Sequence, residues 1–208
     1  MKVTILNCMA LTLVLSACDG ASQDDAPDVP VAEASPSGNA SASADPASTE
    51  SGPAPSITLA GNGLQAVQAV DGRGTATVFG FGDARETTLA AMTVLLGEPE
   101  LSSNGECGAG PLDFADFGAL TLNFQDGRFV GYSVDERSGR AELLGPDGLA
   151  IGAPKDVVAK IEGYQTYDES TLGDEFNVGS GEGNVIVGLF GNDGRVTDLW
   201  SGAVCNFR

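Results

Sequence analysis

Residues 122–133, LNFQDGRFVGYS, decide the fold of this chain, because an apolar strand runs into Asp-Gly-Arg and a second, aromatic-ended strand follows. An Asp-Gly pair between two apolar runs is a strong β-hairpin signal, since the tight turn needs positive φ angles. Leu120, Leu122 and Phe124 alternate along the first strand. One face of the hairpin is therefore predicted to be buried and the other to meet water.

A second hairpin of the same kind is indicated by residues 189–201, LFGNDGRVTDLWS. It again places an apolar strand before Asp-Gly-Arg and an aromatic-ended strand after it. The chain is therefore interpreted as two copies of one unit. A short strand is expected ahead of the hairpin in each copy, at residues 75–81 and 141–151. The two copies are offset by about 66–70 residues, and each is predicted to run as strand, helix and hairpin.

The helix of the first copy is predicted from three apolar residues at helical spacing, Leu89, Met92 and Leu96. Asp83 and Glu86 stand at the spacing of a capping box, with Asp83 as the N-cap and Glu86 reaching back to it. The Gly and Pro that follow Leu96 are expected to end this helix.

The helix of the second copy is expected to begin at Pro154, which suits a first helical turn. Val157, Val158 and Ile161 supply its apolar face, and Gly163 is expected to end it. Together the two copies predict an α+β fold: two tandem helix-plus-antiparallel-strand repeats packed as one domain, the first over about residues 57–134 and the second over about 140–208.

The helix ending Leu96-Gly97-Glu98-Pro99, followed by antiparallel strands, resembles an arrangement found in small periplasmic proteins. It is similar to the tandem α/β repeats of the β-lactamase inhibitor protein family and to the helix-plus-hairpin domain of outer-membrane assembly lipoproteins. The resemblance implies an α+β envelope protein. The aromatic-rich character of the inhibitors is missing here, so none of their inhibitory residues is transferred to this chain.

The N-terminus carries a second resemblance. Lys2 precedes an uncharged, largely apolar stretch, residues 3–15, that is too short to cross a bilayer. Leu15-Ser16-Ala17-Cys18 then resembles the lipobox of bacterial lipoproteins, which implies cleavage before Cys18, a thioether-linked diacylglycerol on that cysteine and an amine acylated with a fatty acid such as palmitate. The alternative is an ordinary signal peptide cut after Ala17. The lipobox implies a lipid-anchored, periplasm-facing protein of the cell envelope and leaves open which membrane holds it.

Composition separates a linker from a domain. Residues 1–17 are predicted to be the signal peptide, residues 18–55 the lipidated cysteine and a disordered linker, and residues 56–208 the folded domain. Ala, Ser, Pro, Gly and Asp dominate residues 19–55, which contain no aromatic residue, Lys or Arg. The formal net charge of the whole chain is -19, which disfavours binding to nucleic acid.

Two cysteines remain in the predicted domain, Cys107 and Cys205. Export to an oxidising compartment makes a disulfide between them the expected state. A reactive thiol is the alternative, but the chain has no His to activate one. The string of residues 106–111, Glu-Cys-Gly-Ala-Gly-Pro, is then interpreted either as a rigid loop at a binding site or as a disulfide-anchored turn.

The absence of His from the whole sequence excludes Ser-His-Asp and Cys-His catalysis and His-ligated zinc. Two acidic pairs, Asp168 with Glu169 and Asp174 with Glu175, are the strongest catalytic candidates, and solvated loop charge is the ordinary explanation for both pairs. The strand-to-helix sequence at residues 80–85, GFGDAR, departs from a dinucleotide fingerprint at its third glycine position. No catalytic residue, metal site or cofactor is therefore predicted.

The sequence thus favours a membrane-anchored envelope lipoprotein with a non-catalytic domain that binds a protein or a ligand. Glu106, Tyr132 and Trp200 are the candidate binding surface, and a place in the core is the alternative for the two aromatic residues. A His-free carboxylate hydrolase of envelope glycans and a passive spacer lipoprotein are the other functions that stay open.

Overall fold

The structure, a computed structural model, describes residues 54–70, 73–181 and 183–206, and all of these belong to one compact unit of the chain. The predicted signal peptide, Cys18 and nearly all of the predicted linker lie outside the described residues.

Two sheets, one antiparallel and one mixed, dominate the described residues, which form twelve strands, two α-helices and one 3-10 turn at Pro146–Gly148. The helices are α1 (Arg85–Leu96) and α2 (Lys155–Val158). In chain order the strands are β1 (Ser56–Ala60), β2 (Gly63–Val70), β3 (Arg73–Gly80), β4 (Glu100–Asn104), β5 (Leu112–Asp116), β6 (Leu120–Gln125), β7 (Arg128–Val134), β8 (Glu142–Leu144), β9 (Gln165–Tyr167), β10 (Asp174–Gly179), β11 (Val185–Phe190) and β12 (Val196–Gly202).

The smaller sheet has the strand order β3-β2-β1-β8, in which only the β1–β8 pair is parallel. The larger sheet has the order β4-β5-β6-β7-β12-β11-β10-β9 and is antiparallel throughout. It consists of two four-stranded meanders, β4–β7 and β9–β12, which join where β7 pairs with β12. At this seam Ser133 lies directly opposite Trp200.

The predicted α+β class is wrong, because the described residues form a β-rich fold with little helix. The predicted second helix is a single turn of four residues, and the chain then continues through tight turns in which the N–H of Ile161 donates to the Val158 carbonyl. The apolar spacing of Val158 and Ile161 therefore arises from consecutive turns. The predicted strand over residues 141–151 is also shorter, since β8 ends at Leu144 and a 3-10 turn follows.

Helix α1 ends where the sequence predicts but begins differently. Gly97 has a φ of 92°, and its N–H donates to the Thr93 carbonyl, as a glycine C-cap requires. The capping box is wrong: Ala84 is the N-cap residue and supplies no side-chain hydrogen bond. The carboxylate of Asp83 accepts instead from the N–H of Gly80, 2.9 Å away, and so stabilises the turn before the helix.

The two predicted hairpins are present and occupy equivalent places in the two meanders. In each, the arginine after the turn donates from Nη1 to a glycine carbonyl ahead of the helix: Arg128 to Gly82 at 3.0 Å and Arg195 to Gly152 at 2.8 Å. The first turn has positive φ at both central residues, 49° at Asp126 and 72° at Gly127, as a two-residue hairpin turn requires.

One hydrophobic core joins the two sheets and the helices. The inner face of the larger sheet contributes Leu122, Tyr132 and Leu199, none of which is measurably exposed, and Ile57 faces them from the smaller sheet. Two hydrogen bonds connect the sheets directly. The Tyr132 hydroxyl donates to the Ala60 carbonyl at 3.0 Å, and the Ser201 hydroxyl donates to the Gly61 carbonyl at 2.7 Å.

Candidate functional site

A disulfide bond joins Cys107 to Cys205, as the sequence predicts. Their Cα atoms are 4.9 Å apart, and 98 residues of sequence separate them. The bond ties the connection between β4 and β5 to the segment that follows β12. This segment, residues 203–206, is called the C-terminal segment below.

The C-terminal segment lies against the outer face of the larger sheet, the face that points away from the core. The N–H of Ala203 donates to the Val130 carbonyl at 2.9 Å, and the side-chain amide of Asn123 donates to the Ala203 carbonyl at 2.8 Å. Further along, the side-chain amide of Asn104 contacts the sulfur of Cys205 at 3.5 Å. Backbone, side-chain and covalent contacts therefore all hold this segment in place.

The loop of residues 106–111 is also fixed from within. The side-chain amide of Gln125 lies 3.0 Å from the Ala109 carbonyl and 3.2 Å from the Pro111 carbonyl and donates to both. The N–H of Gly110 donates to the Cys107 carbonyl at 2.9 Å. The loop is therefore a disulfide-anchored turn, and its Ala109 lines a cleft.

That cleft, called the Trp200 cleft, lies between the loop, the C-terminal segment and the outer face of the larger sheet. It has a volume of about 330 Å³. The indole of Trp200 is 6% exposed and makes no hydrogen bond with any described residue. The accessible lining is about equally polar and apolar, and it includes Ala109, Val185, Val187, Trp200, Val204 and Asn206.

Of the three predicted surface residues, the structure places only Trp200 in this cleft. Tyr132 is fully buried, and burial raises the pKa of its hydroxyl above the ordinary value. Because Trp200 lies opposite Ser133, and side chains alternate along a strand, Tyr132 and Trp200 point to opposite faces of the sheet. Glu106 is exposed on the loop, where its N–H donates to the Asn104 side chain, and it does not line the cleft.

The four candidate carboxylates divide into two groups. Asp174 forms an ion pair with Lys155 at 2.6 Å, and the hydrogen bond to Asp174 raises the pKa of the lysine. Asp168, Glu169 and Glu175 line a separate open cleft of about 500 Å³. Glu175 is only 1% exposed and accepts a short hydrogen bond from the Ser170 hydroxyl. The structure therefore brings three of the four candidates to one place.

A third cleft lies at the end of β1, between the two sheets, and has a volume of about 310 Å³. It is called the intersheet cleft. Its floor is apolar and consists of Leu59, Ile161, Val178 and Ile186. Its rim is polar and acidic, with Thr58, Asp147, Glu162, Ser180 and Asn184. Sequence reasoning missed this cleft because its lining comes from segments far apart in the chain.

Among the residues that the structure describes, no three His, Cys, Asp or Glu side chains are grouped closely enough to hold a metal ion. None of the helices in the described ranges is both long and apolar enough to cross a membrane.

No protein-family model, curated protein or solved structure matches this chain. The function is therefore argued from the three clefts and from the sequence motifs.

Proposed function

We propose that this chain is a lipid-anchored protein of the bacterial cell envelope whose folded domain binds another envelope protein and catalyses no reaction. The lipobox-like Leu15-Ser16-Ala17-Cys18 supports the anchor. The disulfide between Cys107 and Cys205 supports an oxidising compartment, because structural disulfides persist outside the reducing cytosol. The observation that carries the binding function is the Trp200 cleft.

The Trp200 cleft is suited to binding because its walls are fixed before a partner arrives. The disulfide, the contacts of Gln125 and the contacts of Asn123 hold the loop and the C-terminal segment on either side of the indole. Preorganised walls lower the entropic cost of association. Trp200 is 6% exposed and so forms part of this fixed wall, to which a partner can add a hydrogen-bond acceptor for the indole N–H.

The chemistry of the cleft indicates the kind of segment that it accepts. Val185 and Val187 are only partly buried and provide an apolar surface beside Trp200. The indole N–H has no acceptor among the described residues, so a partner carbonyl can accept from it. With a net charge of -19, the chain repels acidic partners. A neutral or basic polypeptide segment with an apolar side chain fits these properties.

Site-specific photo-crosslinking in cells tests this proposal. A photoreactive amino acid replaces Val187 in the cleft, and a matched variant carries it at Val94, which is 76% exposed on α1 and does not line the cleft. The proposal expects a discrete covalent adduct with another protein from position 187 and none from position 94. Absence of any adduct at position 187, or the same adducts at both positions, would contradict it.

The hydrolase alternative also rests on a specific observation. Asp168, Glu169 and the nearly fully buried Glu175 share one cleft, and paired carboxylates are the usual machinery of glycoside hydrolysis. Glycan, peptidoglycan and ester substrates are to be assayed between about pH 4 and 8, the range in which a perturbed carboxylate acts. Turnover that Glu175→Gln abolishes would replace the binding function with the hydrolase.

A further inference from the structure

We propose that the intersheet cleft is a second binding site, which takes a small amphipathic cation: an apolar group that carries one ammonium. The two clefts lie on opposite faces of β11, because Ile186 lines the intersheet cleft and its neighbours Val185 and Val187 line the Trp200 cleft. The two proposals therefore stand or fall separately.

The floor of the intersheet cleft favours an apolar group. The accessible lining of the cleft is mostly apolar, and directly beneath it lie Leu59, Ile161, Val178 and Ile186, each at most 5% exposed. At about 310 Å³ the cleft is at the small end of the range for ligand sites, which also combine an apolar lining with a few polar groups at the mouth. A compact hydrocarbon group can therefore displace water from this floor.

The rim favours a positive charge. Asp147 and Glu162 both line the cleft, and its described lining contains no Lys or Arg. Neither acid takes part in the ion pairs found among the described residues, which use other carboxylates. An ammonium at the mouth would supply the opposite charge that the protein itself does not place there.

The backbone around both acids is well defined. Asp147 has a φ of 50° inside the turn Pro146–Gly148, and the N–H of Leu149 closes that turn by donating to the Pro146 carbonyl at 2.9 Å. The Glu162 carbonyl accepts from the N–H of Gly179 at 2.9 Å. Asp147-Gly148 has positive φ at both residues, as Asp126-Gly127 has, so this is a tight turn that holds the backbone of Asp147 in one conformation. The rim therefore offers charges on a fixed framework.

The test uses three probes of similar size and different charge: cyclohexylmethylammonium, cyclohexylmethanol and cyclohexanecarboxylate. Their affinities for the full chain are measured at low ionic strength by titration calorimetry or by ligand-observed NMR. Two exposed acidic groups should favour the ammonium over the alcohol by about 2- to 30-fold. The carboxylate should bind more weakly than the alcohol. Equal affinities for the three probes, or no binding of the ammonium, would overturn the proposal.

Matched variants locate the site. The double variant Asp147→Asn/Glu162→Gln should lower the affinity for the ammonium toward that for the alcohol and leave the alcohol affinity unchanged. The double variant Asp168→Asn/Glu169→Gln makes the same change of charge in another acidic loop, and it should leave all three affinities as they are. An equal loss in both double variants would show non-specific attraction and overturn the site. The fluorescence of Trp200 checks that each variant is folded.

Discussion

Removal of the disulfide should destabilise the domain substantially. The bond closes a loop between residues 98 apart, and the chain-entropy relation gives about 4–5 kcal/mol for a loop of this length at 25 °C. The double variant Cys107→Ser/Cys205→Ser keeps the hydrogen bonds of Ala203 with Val130 and Asn123. The start of the C-terminal segment should therefore stay on the sheet, while the part beyond Ala203 loses its covalent tether.

Urea unfolding followed by the fluorescence of Trp200 measures this effect. The chain has a single tryptophan, and it is 6% exposed, so its emission should shift to longer wavelength as the protein unfolds. With a urea dependence of about 2 kcal/mol per molar, a loss of about 4 kcal/mol lowers the midpoint by about 2 M. Wild-type protein reduced with a phosphine should match the double variant. A loss of free energy below about 1 kcal/mol in both would refute the entropic reasoning.

Three further changes test the core and the first turn. Leu96→Ala should cost about 2–5 kcal/mol, because the side chain is 6% exposed in the core, and calorimetry showing less than about 1 kcal/mol would contradict that placement. Tyr132→Phe removes the hydrogen bond to Ala60 and should cost about 0.5–1.5 kcal/mol near neutral pH. Burial raises the pKa of the Tyr132 hydroxyl, so as the pH rises this hydroxyl loses its proton in the unfolded state before it does so in the folded state. The free energy of unfolding should therefore fall as the pH rises above about 10. Thermal melts of the Phe variant should show a smaller fall over the same pH range. Asp126→Ala places alanine at a φ of 49° and should cost about 1–2 kcal/mol, more than Asp193→Ala, whose φ is not positive; a reversed order in urea unfolding would contradict the turn geometry.

The features that the sequence predicted correctly are those set by local chemistry. The turn at Asp126-Gly127 needs two positive φ angles, and few other residue pairs provide them. Gly97 ends α1 because a glycine adopts the required φ at no steric cost. The pairing of Cys107 with Cys205 followed from having only two cysteines in the folded part.

The fold class could not be predicted in the same way, because several strands lack the alternation of apolar and polar residues that marks a strand in a sequence. Strand β4, Glu100–Asn104, has four exposed residues in a row and is held by its pairing with β5. Strand β9, Gln165–Tyr167, has three exposed residues and is held by β10. Such edge strands form because a neighbouring strand supplies hydrogen-bond partners, which is information that a local pattern does not contain.

The placement of the aromatic residues was also not predictable from local sequence, for a related reason. Trp200 and Tyr132 were expected on one surface. Arg128 and Arg195, which follow the two hairpin turns, make equivalent contacts and are 67 residues apart. The residue of the second hairpin that corresponds to Tyr132 is therefore Leu199 and not Trp200. Leu199 is fully buried, as Tyr132 is. A shift of one residue along a strand moves a side chain to the opposite face of the sheet. The sequence could name the aromatic residue of the cleft, but it could not say which face each aromatic residue occupies.

The intact mass of the protein, extracted from cell membranes with detergent, tests the proposed lipid anchor most directly. The proposal predicts a chain that begins at Cys18, carries a diacylglycerol and an additional acyl chain on that residue, and has two hydrogens fewer than its reduced form. A Cys18→Ser variant should remain an unprocessed precursor and take up no labelled palmitate. A wild-type mass that corresponds to an unacylated chain, whether or not residues 1–17 have been removed, would contradict the anchor.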